Sequence, residues 1–297
     1  MTLITNLYSA LAQGTLWGIM ALGVYITFRI LDIADLSCDG TFALGGCISA
    51  VFITRGVDPF LTLLMALAAG MIAGAVTGIL HTRLMIPAIL AGILTMIALW
   101  SVNIRIMGGP NISLLGEDTV FTKIIYSLGL DQTLATLVVG LVIGIIVIAA
   151  LYWFFGTEIG SAVRATGNNE FMVRALGGNT DTAKVLGLVI SNGLISLSGA
   201  LVAQNQGYGD IKMGTGSIVI GLASIVIGEV IFGKRFNFAY ILASLIGGSI
   251  VYRMIISLVL HFGLSTDDMK LFTAIIVAIA LGIPALKAKY SQRRTPA

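Results

Sequence analysis

Charge is scarce in this chain of 297 residues: Asp, Glu, Lys and Arg make up 10% of it, against roughly 25% in a soluble domain. Histidine and cysteine are scarcer still, with two of each. No cluster of His, Asp or Glu is available for metal binding or acid–base work, which argues against a membrane enzyme. His81 and His261 fall at the ends of apolar runs, where an interfacial position is expected. Cys38 and Cys47 are nine residues apart, so on one helix they point in opposite directions and cannot pair. They read as small apolar packing residues. The basic residues are scattered at run ends, and the net charge of +3 offers no surface for nucleic acid.

Apolar residues fill the space that charge leaves. They make up 57% of the chain, and mean hydropathy is +1.01. A bilayer-spanning helix needs about 20 mostly apolar residues, and such runs recur throughout. They are continuous rather than alternating, which excludes a porin-like barrel. The expected fold is an all-α polytopic membrane protein, one membrane domain over residues 1–297, with about nine transmembrane helices and a range of eight to ten. The spans are expected near 7–31, 38–55, 60–82, 87–107, 132–155, 184–204, 215–233, 237–260 and 271–288. No basic region precedes the first run, and it is too long for a signal-peptide core, so it reads as a retained helix.

Lys and Arg gather on the cytoplasmic side of membrane proteins. With the polar stretch 156–183 placed inside, parity puts Arg29, Arg83, Arg164, Arg174, Lys184, Lys234, Arg235, Lys287, Lys289, Arg293 and Arg294 inside. Arg55, Arg105, Lys123, Lys212 and Lys270 fall outside. Eleven against five favours a cytoplasmic C-terminus and an external N-terminus. Pro59 and Pro87 stand at span starts, where a missing N–H costs nothing, and Pro284 should kink or end the last span. Most of the 36 glycines read as contacts that let helices approach closely. DLSCDGTFALGG from Asp35 and DIKMGTGSIVIG from Asp210 are alike once one residue is skipped. They lie five spans apart, an odd offset, so an inverted repeat of the kind common in transporters is a candidate.

One stretch, GSAVRATGNNEFMVRALGG from Gly160, is too polar to enter lipid. Asn168 or Asn169 suits an N-cap, Glu170 a first turn and Arg174 a last turn, and Gly177 and Gly178 form a stop. A helix of about two turns, 169–176, is expected. An interfacial helix resting on headgroups would carry more Lys and Arg on its polar face. A Phe171–Met172 knob among few, mixed charges suits a pocket on a soluble partner better.

GTEIGSAVRATGNNEFMVRALGGNT resembles the cytoplasmic loop of ATP-binding-cassette importer permeases of the branched-chain amino-acid/ribose class. There a Gly–x–x–x–Arg–Ala–x–Gly pattern and an Asn- or Asp-rich turn form the coupling helix. Gly160, Arg164, Ala165, Gly167, Asn168 and Asn169 match it. Tyr25 to Gly45, ALVAQNQGYGDIKMGTG and GLASIVIGEVIFG are similar to one branch of that class, which works with a lipoprotein-type binding protein and includes members associated with aromatic amino acids. The resemblance implies a separate ATPase subunit gripping Gly160, Arg164, Gly167, Asn168, Asn169, Glu170, Phe171, Met172 and Arg174. It implies a second permease copy or sister chain, and an extracytoplasmic binding protein docking on 108–131 and on the loop around Tyr208–Lys212. It also implies a bacterial inner-membrane location and no cofactor in the chain itself. No full phosphate loop is present: GEVIFGKR from Gly228 ends in Arg where a hydroxyl should follow the Lys, and it closes an apolar span.

Ionisable residues inside a membrane are functional candidates because burying them is costly. Glu229 either pairs with Lys234, Arg235 or a coupling-helix arginine, or lines a path or gate. Arg253 either snorkels to the outer surface or faces a cavity. Asp35 and Asp39 flank the start of the second span. Ser37, Asp39, Asn103, Asn192, Ser196, Glu229 and Arg253 are the candidates for the translocation path, with Asn192 and Ser196 on one helix face. An ion-coupled secondary transporter using Glu229 and Arg253 is the alternative function. The two fall in opposite halves of the bilayer, which is thin for ion coupling.

Overall fold

The computed structural model describes residues 3–233 and 237–261, together with 271–275, 278 and 282. Most of the expected ninth span at 271–288, its Pro284 and the basic tail beyond lie outside the described residues, as do Lys234, Arg235 and Lys270. Eleven α-helices are delimited within residues 3–261: α1 Leu3–Tyr25, α2 Cys38–Thr54, α3 Pro59–Thr82, α4 Ala88–Met107, α5 Val120–Leu128, α6 Gln132–Gly156, α7 Glu158–Asn168, α8 Glu170–Ala175, α9 Thr180–Gln206, α10 Ser217–Phe232 and α11 Phe238–His261. A π-helical turn, Ile26–Ile30, extends α1. Seven helical segments are long and apolar enough to cross a membrane, and α2 is a shorter apolar helix.

The apolar runs sort into two kinds. Helices α1 and α9 are mostly buried, whereas α3, α4 and α6 bury well under half of their apolar windows. The outward faces of the latter carry Leu64, Ile72, Ile97, Ile145, Ile146 and Trp153. Such faces are what lipid covers, and the two buried helices form the protein interior. Helix α9 packs against α1, α2 and α3. Glycines make that approach possible. A methyl group on Gly45 of α2 would overlap the carbonyl of Ser196, and one on Gly70 of α3 would meet the carbonyl of Asn192.

The bundle has two distinct ends. At one, α7 and α8 pack beside the end of α1 and the start of α9. At the other, β1 Asn111–Ser113 pairs antiparallel with β2 Tyr208–Asp210, in the register Asn111↔Asp210, Ile112↔Gly209 and Ser113↔Tyr208. The short ribbon thus joins the two loops expected to share one face. Helix α5 lies at this end too. Its capping box is built from Thr119 and Thr122, and the first N–H of the helix donates to Gln204 Oε1 of α9 at 2.9 Å.

Two helices begin part-way through the bundle. After the π-turn the chain doubles back, with Ile33 N donating to Thr27 O at 2.9 Å and Asp32 in a left-handed conformation at φ 55°. Helix α2 then starts level with Asn192, about 18 Å along α9 from its first residue. From the ribbon the chain descends beside α2 to Gly214, against the backbone of Asp39, and α10 begins there. The N-termini of α2 and α10 meet at mid-depth and the helices run to opposite ends. An inverted repeat would have this arrangement.

Candidate functional site

The polar loop is two helices, not one. The sequence reading expected one helix at 169–176, and a second, α7, precedes it at Glu158–Asn168. Gly160 and Gly167 are contact residues of α7. Thr157 Oγ1 caps α7 by accepting from Gly160 N at 3.2 Å. Gly160 lies against the carbonyl of Phe154, and Gly167 against the carbonyl of Ile30 at the end of the first span. Gly160, Val163 and Gly167 recur at helical spacing and form the face that packs on the bundle, with Val163 buried. Arg164 points away and its guanidinium lies 5.1 Å above the Phe238 ring.

The two asparagines are the joint between these helices. Asn168 ends α7. Asn169 leaves the helical region at φ −157°, and its Oδ1 accepts from Met172 N at 3.0 Å, capping α8. Helix α8 buries one residue, Val173, and presents the rest of its apolar surface outward. Phe171 is 85% exposed, Leu176 80% and Met172 51%. Large apolar groups this open on one short helix form an exposed patch of the kind that marks a contact surface.

Glu170 and Arg174 turn the other way. Glu170 Oε2 meets Lys184 Nζ at 2.7 Å, and Oε1 meets Arg174 Nη2 at 2.7 Å. Thr180 Oγ1 donates to Glu170 Oε1 at 3.2 Å and accepts from Arg174 Nε at 2.7 Å. Arg174 also reaches Asp181 at 3.2 Å. The hydrogen bond from Lys184, opposed by partial burial, holds the Glu170 carboxyl below its ordinary value. Single exposed pairs are worth little. Here several share one carboxylate and fasten α8 to the first turns of α9. Thr180 and Lys184 were not among the expected site residues, and no local pattern singles them out.

Along α9, mid-way through the bundle, lies a buried polar cluster. Asn192 Nδ2 donates to Asp35 Oδ2 at 2.8 Å. Its Oδ1 accepts from Thr41 Oγ1 at 2.7 Å and from Ser37 Oγ at 3.1 Å. Asp35 Oδ1 accepts from Ser37 N at 2.8 Å, shaping the turn into α2. All four residues are buried. Ser37 and Asn192, selected separately from sequence, are therefore in contact. Ser196 donates to Ala66 O of α3 at 2.6 Å, and Asn103 Nδ2 donates to Gly40 O at 3.2 Å. Asp39 does not cap its own helix. Its carboxylate accepts from Gly216 N, Ser217 Oγ and Ile218 N at 2.8–3.1 Å, and so caps α10.

Glu229 and Arg253 have different surroundings from those a local reading suggests. Glu229 pairs with Arg29, 2.6 Å away at the α8 end of the bundle, rather than with a coupling-helix arginine. Arg253 does not snorkel. Its guanidinium carbon stands 4.1 Å from the centre of the Trp17 ring. A helical side chain leans toward its helix N-terminus, and α11 starts at the α8 end, so Arg253 leans away from the nearer surface. Among the described residues no group of three or more His, Cys, Asp or Glu could hold a metal.

Comparison with known proteins shows the family. The family model described as "Branched-chain amino acid transport system / permease component" matches residues 6–283. The chain is 40% identical over 273 residues to a tyrosine transport system permease protein of Clostridioides difficile (strain R20291), covering 92% of this chain and 89% of that one. It is 28% identical over 201 residues to the ribose import permease protein RbsC of Escherichia coli (strain K12), covering 67% and 61%. No solved structure matches it.

Proposed function

Because the chain belongs to the permease family of branched-chain amino-acid transport systems, we propose that it is the membrane subunit of an ATP-driven importer for an aromatic amino acid. The tyrosine permease from Clostridioides difficile supports the solute class. Two permease copies, or this chain and a sister, enclose the path. ATPase subunits grip α8 from the cytoplasm, and a binding protein delivers the solute at the ribbon end. The observation that carries the reading is the outward Phe171–Met172–Leu176 surface on a helix clasped to α9. When the ATPase subunits close, their movement enters at α8, passes through the Glu170 clasp into α9 and reaches Asn192, which holds the start of α2, whose Asp39 in turn caps α10.

Ion-coupled transport by Glu229 and Arg253 has less support. Glu229 is paired with Arg29 at the α8 end. Arg253 lies beyond the midpoint of α11, toward the other end.

The test is gentle purification of the tagged protein, with ATPase activity measured on what co-purifies. A Phe171→Asp, Met172→Asp variant is run alongside. Both side chains are solvent-exposed, so the variant should keep its melting temperature and lose the ATPase subunit and its activity at least about ten-fold. Recovery of the wild-type chain alone, without ATPase activity, would overturn the reading.

A further inference from the structure

A cavity of about 540 Å³ opens between α1 and α11 in the ribbon-end half of the bundle. Its polar lining is Asn6, Ser9, Gln13, Arg253, Ser257 and His261, with no acidic residue among its described walls. Arg253 sits eight residues, about 12 Å, below the end of α11. Its Nε is buried and makes no hydrogen bond, and one turn away the buried Ser249 Oγ is likewise without a partner. These are two of the three such side-chain atoms among the described residues. The ring of Trp17 lies beneath the guanidinium and also borders a second cavity of about 310 Å³ at the ribbon, beside Tyr208, Asp210 and Lys212.

An arginine in this position costs free energy. A cation in a low-dielectric site is stable when an anion and hydrogen-bond acceptors complete it, and none of the described lining residues supplies the anion. The planar guanidinium offers parallel donors matched to a carboxylate. The cavity is within the size range for a single small ligand. We propose that this cavity is the outer solute subsite of the permease, in which Arg253 binds the carboxylate of the amino acid. The indole of Trp17 holds the guanidinium in place, and Ala10, Ile256 and Leu260 give the cavity its apolar wall. This rests on the amino-acid reading above.

The test uses the complete transporter, with its ATPase and binding protein, in proteoliposomes. ATP-driven uptake of radiolabelled L-tyrosine, L-leucine and ribose is measured for wild type, Arg253→Lys and Arg253→Gln. Gln should lower uptake about ten- to a hundred-fold, the factor carried by one charged hydrogen bond. Lys should restore part of it, while melting temperature and oligomeric state stay as in wild type. Wild-type uptake by Arg253→Gln overturns the proposal and leaves the importer reading intact. So does loss of uptake together with loss of the permease pair or its melting temperature, unrescued by Lys, which would make Arg253 a packing residue between copies. Uptake of leucine but not tyrosine, still dependent on Arg253, supports the carboxylate site and overturns the aromatic reading. Uptake of ribose instead of either overturns both.

Discussion

Replacing Asn192 by leucine, close to it in size, should show how much the mid-depth cluster holds the bundle together. The change removes three interhelical hydrogen bonds, to Asp35, Ser37 and Thr41. Thr41 keeps a second acceptor in the carbonyl of Ser37 at 3.1 Å, and Asp35 keeps the Ser37 N–H on its other oxygen. The Ser37 hydroxyl loses its acceptor, and one oxygen of a buried carboxylate loses its donor. Hydrogen bonds to a charged group are worth about 1.5–3 kcal/mol in soluble proteins, but interhelical bonds in membranes average about 0.6 kcal/mol because the unfolded state also finds partners. The expected cost is about 2–4 kcal/mol. Equilibrium unfolding in mixed detergent–SDS micelles measures it. A double-mutant cycle with Asp35→Asn isolates the pair, and the double variant should be less destabilised than the sum of the singles by about 1 kcal/mol. A cost below about 0.5 kcal/mol for Asn192→Leu, with additive singles, would refute the view that this cluster ties α2 to α9.

Other sites yield sharper functional contrasts. Gly167→Leu drives a side chain into the Ile30 backbone. It should displace α7 and lower transport-coupled ATPase activity several-fold, with most of the bundle's melting transition retained. Glu229→Gln should cost only about 1 kcal/mol, because the Arg29 side chain is 44% exposed. Uptake by that variant should still follow ATP rather than a proton gradient, as measured with a protonophore. The Glu170 carboxyl is held below its ordinary value, so its contribution to α8 docking is complete above the unfolded value and is lost as pH falls through the depressed one. Hydrogen exchange over residues 170–176 should therefore rise on acidification below the ordinary carboxylate range, and Glu170→Gln should flatten that dependence.

The spans were legible because burial in lipid demands long apolar runs. Eight of the expected runs appear as helices whose ends lie within four residues of the expected ones. The α8 cap at Asn169 was legible too, since caps are local chemistry. What sequence did not show is pairing across distance. Asp39 stands at the start of one helix, and it caps another that starts nearly 180 residues later. Glu229 pairs with Arg29, 200 residues away, a contact that no local pattern shows. Helix α7 was hidden for a different reason. Gly160 and Gly167 weaken helix propensity, and only the neighbouring backbone explains why nothing larger fits. The strands of the ribbon are three residues each, too short for a period-two pattern to stand out.

Helix α9 runs unbroken from the Glu170 clasp to the ribbon, and Asn192 lies about 18 Å from one end and about 21 Å from the other. A continuous helix pinned near its middle has few ways to move. Close glycine contacts on neighbouring helices oppose rotation about its own axis, which leaves tilting. A see-saw of nearly equal arms displaces its tips by similar distances in opposite senses. A push on α8 in one direction then swings the Tyr208 loop in the other, without any bending of the helix between them.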